Sequence, residues 1–255
     1  MNRRDIERMR QAAAGKRAAF IRRTPETVAR YDPDMSRPVP RDPNTIAIVL
    51  AGGAARRLGG DLVGSAGKAG LLLGGRTFLE MISATLSDCV ARLIVVAAPG
   101  QPLPEVGVPL QVVYDSTPGA GPLAGIRDGL SHACRVDTSP GAVVVVSCDV
   151  PLLQPAVVRL LLDRLAAPGV QWVVPVVHGH PQVLVSALRP ALLAMIERHL
   201  AAGRRDLRGL LDELRRVDPA AVDLLDEAEV AAVDSGCRSF LDVDTPADLE
   251  AVRRP

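Results

Sequence analysis

The chain has 255 residues, 48% of them hydrophobic and only 2% aromatic, and a formal net charge of +1. Its core must therefore be built from Ala, Val and Leu, a mixture suited to strands covered on both faces by helices, in one sizeable domain or two small ones. The near-neutral balance argues against a nucleic-acid partner or an acidic membrane surface; with no long apolar run and a polar N-terminus, a cytoplasmic protein is expected.

Residues 1–44 are set apart by seven arginines between Arg3 and Arg23 and by a Pro-containing stretch from Asp32 to Pro43. They are expected to form a mobile, partly helical extension, with residues 45–255 as the folded domain. Ile46 to Leu50 predicts a strand that runs into the glycines Gly52 and Gly53. Thr77 to Glu80 has the spacing of a capping box and opens a predicted helix to Asp88. Strands are predicted over Leu93–Ala98 and Leu110–Tyr114, then a helix over Pro122–Ala133. The four consecutive valines in Ala142–Ser147 are the pattern of a central strand. A helix is expected over Gln154–Ala166, strands over Trp172–Val177 and Gln182–Leu188, and helices over Pro190–Ala201 and Asp206–Leu214. A last strand over Ser239–Val243 and a helix over Pro246–Val252 complete the series. The alternation predicts an α/β, Rossmann-like, doubly wound fold with a mostly parallel sheet and helices on both faces.

In such sheets the ligand crevice lies beyond the carboxyl ends of the strands. That rule gathers Gly52, Gly53, Arg57, Asp115, Asp149 and Asp244 toward one site. Gly52 and Gly53 let a backbone approach a ligand, and successive N–H groups there suit an anion. Arg57 offers a planar fork for phosphate oxygens. Lys68 stands out because the chain holds only one other lysine, Lys16, among its 30 Lys+Arg residues. The segment matches neither the Walker pattern nor the dinucleotide fingerprint. Asp149, after the valines, is placed to bind a hard cation such as Mg²⁺ or to cap the next helix; Asp244 has the same two roles open. Gly121, Pro122 and Leu123 form a stiff loop wall whose backbone suits the edge of a base, and the Asp115 carboxylate suits a guanine or ribose donor. His178, His180 and His199 are surface or loop histidines by default, with acid–base work as the alternative. The four cysteines have no metal-site spacing and are expected to be reduced thiols.

Taken in order, Leu50-Ala51-Gly52-Gly53, Arg57-Leu58-Gly59, Lys68, Gly121 to Gly125, Cys148-Asp149 with Pro151, and Asp242 to Pro246 resemble the molybdenum cofactor guanylyltransferases, over residues 45 to about 253. The resemblance implies transfer of GMP from GTP to molybdopterin bearing molybdenum, with release of pyrophosphate. It implies that Leu50, Ala51 and Gly52 contact the nucleotide, that Lys68 holds phosphate, that Asp115 lines the pocket and that Asp149 binds Mg²⁺. A molybdoenzyme or molybdenum-insertion protein is the expected macromolecular partner. CTP-dependent transfer to the same cofactor, sugar-phosphate nucleotidyl transfer and a non-catalytic nucleotide-sensing or cofactor-carrying role are the alternatives. Two departures stand out. Gly67 replaces an expected Asp before Lys68, after an insertion at Gly60 to Ala66, so Lys68 reaches the phosphates only if this loop folds back. A polar residue expected after the second strand is Ala97 or Ala98.

Overall fold

The structure, a computed structural model, describes residues 42–52, 64–136 and 140–253. Gly53, Arg57 and most of the expected extension lie outside these residues. The strands are β1 (Thr45–Leu50), β2 (Leu72–Leu73), β3 (Arg76–Thr77), β4 (Arg92–Ala97), β5 (Gln111–Tyr114), β6 (Ala142–Ser147), β7 (Trp172–Val177), β8 (His180–Pro181), β9 (Val185–Leu188) and β10 (Val222–Leu225). The α-helices are α1 (Phe78–Ser87), α2 (Pro122–Val136), α3 (Pro155–Leu165), α4 (Leu193–Ala201), α5 (Leu207–Val217), α6 (Glu227–Ala231) and α7 (Pro246–Val252). β2 and β3 pair as a small antiparallel hairpin; the main sheet runs β10-β7-β9-β6-β1-β4-β5, with β8 on β7. β1 pairs in parallel with both β4 and β6, and β5 extends β4 in parallel. β9 enters antiparallel between β6 and β7. No helix among the described residues is long and apolar enough to cross a membrane.

Period-two alternation decides what each face buries. In β1, Ala47 and Val49 face a core layer with Leu79, Ile82 and Leu86 of α1 and Val158 and Leu161 of α3. Ile46 and Ile48 face the opposite layer, with Leu123, Ile126 and Leu130 of α2 and four leucines of α5. The sheet is doubly wound, as expected. Each fully buried Val, Leu or Ile contributes roughly 1.5–3 kcal/mol relative to exposure. Two glycines one turn apart let α2 lie tightly on β1. A Cβ on Gly125 would sit 3.1 Å from Leu50 Cδ2, and one on Gly129 would sit 2.9 Å from Ile48 Cδ1. In α5, Leu207, Leu210, Leu211 and Leu214 form one apolar stripe, and Asp206 caps the helix by accepting from Gly209 N at 2.7 Å.

Several expectations need correction. Ser239–Val243 is not a strand: Arg238–Phe240 is a 3₁₀ turn, in which Ser239 N donates to Asp234 rather than to a ladder. β10 lies in a stretch to which the sequence reading assigns no element, where Asp223 breaks the apolar pattern. It pairs in parallel with β7 and places Asp223 against Arg164 of α3. The Gln182–Leu188 strand is shorter, and the Pro190–Ala201 helix opens with a 3₁₀ turn before α4. At α1, the Thr77 hydroxyl accepts from Glu80 N, while the Glu80 carboxylate turns to Arg76 at 3.0 Å.

Candidate active site

The parallel register sets the site. Leu50 lies level with Ser147 on one side and with Val96 on the other, so β1, β4 and β6 end together. Cys148 N carries the ladder one step further by donating to Leu50 O at 3.1 Å. Asp149 therefore projects from the same sheet edge as Ala51 and Gly52. Its own carbonyl accepts from Val243 N at 2.9 Å, which draws in the segment carrying Asp244. Thr245 then caps α7 through a reciprocal capping box with Asp248, and Pro246 takes the first turn, so the capping role falls to Thr245 and not to Asp244.

The chain does bring Lys68 back to this edge. Lys68 sits in a 3₁₀ turn, Gly67–Gly70, that buries Ala69 completely in the main core. Leu71 next to the turn packs with Phe78 of α1, Val243, Leu249 and Val252, with Leu73 against the same cluster. One small apolar knot thus holds the lysine turn, the start of α1 and the Asp244 segment together. Lys68 Nζ lies 3.0 Å from Asp149 Oδ2 and also donates to Asp244 Oδ1. These partners are 81 and 176 positions away in the chain.

Burial pulls the Lys68 pKa down, yet the combined pull of Asp149 and Asp244 outweighs it and the net shift is upward. The group stays an ammonium at physiological pH. Burial pushes the Asp242 carboxyl up, and the neighbouring charges of Asp149 and Asp244 push the same way. Burial and the adjacent Asp149 raise the Cys148 thiol to about 12, so it remains protonated and inert. A hydrogen bond from the Thr245 hydroxyl holds Asp248 below the usual carboxylate range.

Asp149 and Asp244 lie close enough for one ammonium to bridge both. A pair of hard oxygen donors fits Mg²⁺, which takes one or two carboxylates and completes its shell with substrate phosphates and water. Among the described residues no group of three or more His, Cys, Asp or Glu side chains is arranged to hold a metal.

The other sequence candidates divide. Leu50 and Ala51 are buried. Ala51 N and Gly52 N both donate to Val96 O, at 2.8 and 3.2 Å, so neither points at a ligand in this structure. A Cβ on Gly52 would come within 3.3 Å of Ala98 N, which explains the glycine by close approach. Asp115 follows β5, with its N–H bonded to Ala97 O and its carboxylate accepting from Thr117 N at 2.8 Å. The same loop is braced by Arg127, whose Nη2 donates to the Ser116 hydroxyl at 2.6 Å, and by Asp128, which accepts from Ser116 N at 2.7 Å. Gly121 has φ of 90°, and Leu123 is wholly buried, so only its backbone is available to a base. Gly53 and Arg57 lie outside the described residues. His199 is a core histidine, 1% exposed with Nδ1 3.2 Å from Glu213 Oε2. His178 pairs with Glu227 at 3.4 Å in the β7–β8 turn.

One residue escaped sequence reasoning. Gln101, four positions past β4, bonds three backbone groups around the glycine loop. Its only sequence signal is a carboxamide close behind a strand end.

Comparison with known proteins bears on the family and the fold. The family model described as a MobA-like NTP transferase domain matches residues 47–217. A relative from Mycobacterium avium (strain 104), named "Probable molybdenum cofactor guanylyltransferase", is 33% identical over 205 residues, 80% of this chain and 93% of that one. Molybdopterin-guanine dinucleotide biosynthesis protein A from Archaeoglobus fulgidus superposes with a TM-score of 0.64 at 23% identity, covering 82% of this chain and 96% of that one. The 2-C-methyl-D-erythritol 4-phosphate cytidylyltransferase of Thermus thermophilus superposes with a TM-score of 0.59 at 20% identity, over 82% of this chain and 97% of that one. These two likenesses show the fold.

Proposed function

The chain belongs to the family of MobA-like NTP transferase domains, and from that premise we propose that it transfers GMP from GTP to a molybdenum-bearing molybdopterin, with Mg²⁺, releasing pyrophosphate. The observation that carries this reading is the meeting of Lys68, Asp149 and Asp244 at the carboxyl edge of the sheet. The name of the Mycobacterium avium relative supports the choice of nucleotide and acceptor.

In this reading Asp149 and Asp244 hold Mg²⁺, which supplies charge neutralisation at the phosphates when bound. Lys68 adds a mobile point charge toward the triphosphate, and Arg57 a planar one. The Asp115 and Gly121–Leu123 loops face the nucleoside. A terminal phosphate on the acceptor attacks the α-phosphate, the bond from the α-phosphorus to the bridging oxygen breaks, and pyrophosphate leaves. That nucleophile is already anionic, so a strong general base is unnecessary. Catalysis is positioning plus electrostatics. The chemistry accounts for a site that, among the described residues, joins one half-buried ammonium to two carboxylates, with the core histidine His199 playing no part in proton transfer.

The test is pyrophosphate release with the purified molybdenum-loaded cofactor and GTP, CTP, UTP or ATP in turn. GTP alone should give rapid release, and Asp149→Ala should lose on the order of a hundredfold or more. Preference for CTP would move the protein to cytidylyl transfer, a chemistry for which the same fold serves in the Thermus thermophilus enzyme. Near-normal guanylyl transfer by Asp149→Ala would refute the site.

A further inference from the structure

The chain leaves the sheet edge at Ala51 and Gly52 and returns at Ala66, two residues before Lys68. Among the described residues, the side chain of Gln101 spans that gap. We propose that Gln101 is a positioning residue: its carboxamide clips the outgoing and returning ends of the glycine-rich loop together and thereby presets Lys68 for the triphosphate.

The bonding is complete and one-directional. Gln101 Nε2 donates to Ala51 O at 3.1 Å and to Ala66 O at 2.8 Å, which uses both of its hydrogens. Gln101 Oε1 accepts from Ala98 N at 3.0 Å. Turning the amide over would set its oxygen against two carbonyl oxygens, so the partners fix its orientation. The clip itself is anchored: Gln101 N donates to Ala98 O at 3.0 Å, closing a turn in which Gly100 has φ of 73°. Ala98 directly follows β4, Ala51 directly follows β1, and Ala66 caps the 3₁₀ turn that carries Lys68. One amide therefore ties two strand ends of a rigid parallel sheet to the entrance of the lysine turn. The carboxylates of Asp149 and Asp244 hold the tip of Lys68, and the clip holds the main chain beneath it.

Setting the loop in advance changes binding more than chemistry. If the clip is lost, only a fraction of molecules hold Lys68 in place before the nucleotide arrives, and the apparent affinity falls by that fraction. At saturation the bound nucleotide restores the arrangement, so turnover survives. This kinetic consequence rests on the function proposed above. The clip itself does not.

Two variants and two readouts on the full chain decide it. Gln101→Ala removes all three bonds. Gln101→Glu keeps the shape and still accepts from Ala98 N, but turns a carboxylate onto two carbonyl oxygens. Hydrogen exchange followed by mass spectrometry should show the Leu71 amide, which bonds to Lys68 O within the turn, exchanging on the order of tenfold faster in both variants. The Ala98 amide should speed up in Gln101→Ala and stay protected in Gln101→Glu, while amides of α5 hold their wild-type rates. In pyrophosphate release, the KM for GTP should rise about tenfold in Gln101→Ala and further in Gln101→Glu, with kcat within about twofold of wild type. A residue that merely filled space would tolerate the isosteric glutamate, so wild-type KM in Gln101→Glu would overturn the proposal. Unchanged Leu71 exchange in both variants would overturn it as well. Should the chain release no pyrophosphate at all, the guanylyl-transfer reading fails, while exchange at Leu71 still judges the clip.

Discussion

Among the described residues, two clusters are built alike, one cation hydrogen-bonded to two acids, and have opposite characters. Arg164 of α3 grips Asp223 of β10 through two bonds, at 2.8 and 3.0 Å, and reaches Glu229 of α6 with its remaining arm at 2.6 Å. Lys68 meets Asp149 and Asp244 with a single nitrogen. The arginine fork fixes direction as well as distance, so its cluster locks a helix onto an edge strand and a short helix. The lysine is a point charge on a flexible stem, held by main-chain turns at a crevice edge, and such a charge can change partners without disturbing its supports. Under the function proposed above, the difference teaches that the choice of cation, more than the number of acids around it, separates a rivet from a working part.

The comparison can be broken most decisively at the lysine. Lys68→Arg keeps the charge but brings a planar fork into a place shaped for a point. Nucleotidyl transfer should fall about a hundredfold while the urea midpoint barely moves. Equal activity in the arginine variant would erase the distinction. Arg164→Ala should do the reverse. It leaves Asp223 buried without its partner and should cost about 2 kcal/mol in chemical denaturation, with kcat and KM unchanged. A stable variant with lost activity would show that the two clusters are coupled.

The smallest expected effect is in alkali. The folded-state pKa of Lys68 is raised above the usual lysine value of 10.5. A raised cationic group stabilises fully below the unfolded value and loses that contribution as pH climbs through the folded value. The stability gap between wild type and Lys68→Met should therefore stay constant across the neutral range and change only above about pH 10.5. A gap that changed near neutrality would mean that Lys68 is not held as an ammonium.

Much of the fold was legible because burial leaves a period. The valines of β6, the short apolar run of β1 and the leucine stripe of α5 all announce themselves by spacing. β10 did not, because Asp223 sits in the middle of Val222–Leu225 and its charge is answered by Arg164, a helix residue far away in the sequence. The antiparallel entry of β9 was equally invisible, since strand direction leaves no mark on a short apolar run. At the site, Asp149 could be placed by strand-end geometry. Asp244 was reached by the same rule although no strand precedes it; the bond from Val243 N to Asp149 O does the work expected of a ladder. The return of Lys68 could not be deduced, because it depends on Ala69 entering the main core and on Leu71 and Leu73 finding Val243 and α7, contacts that no local pattern encodes. Gln101 was hidden for a further reason: its partners are all main-chain atoms, which carry no sequence signature.

The hydrogen bond from Val243 to Asp149 has a consequence for synthesis. A ribosome has produced every described strand of the sheet before it reaches Asp244. The emerging chain can pair β1, β4 and β6 and lay α2 across them while the lysine turn still lacks the apolar knot and the second acid. Competence to handle a nucleotide should therefore arrive late and abruptly, and a chain interrupted just ahead of Val243 would have all of those strands and a half-built site.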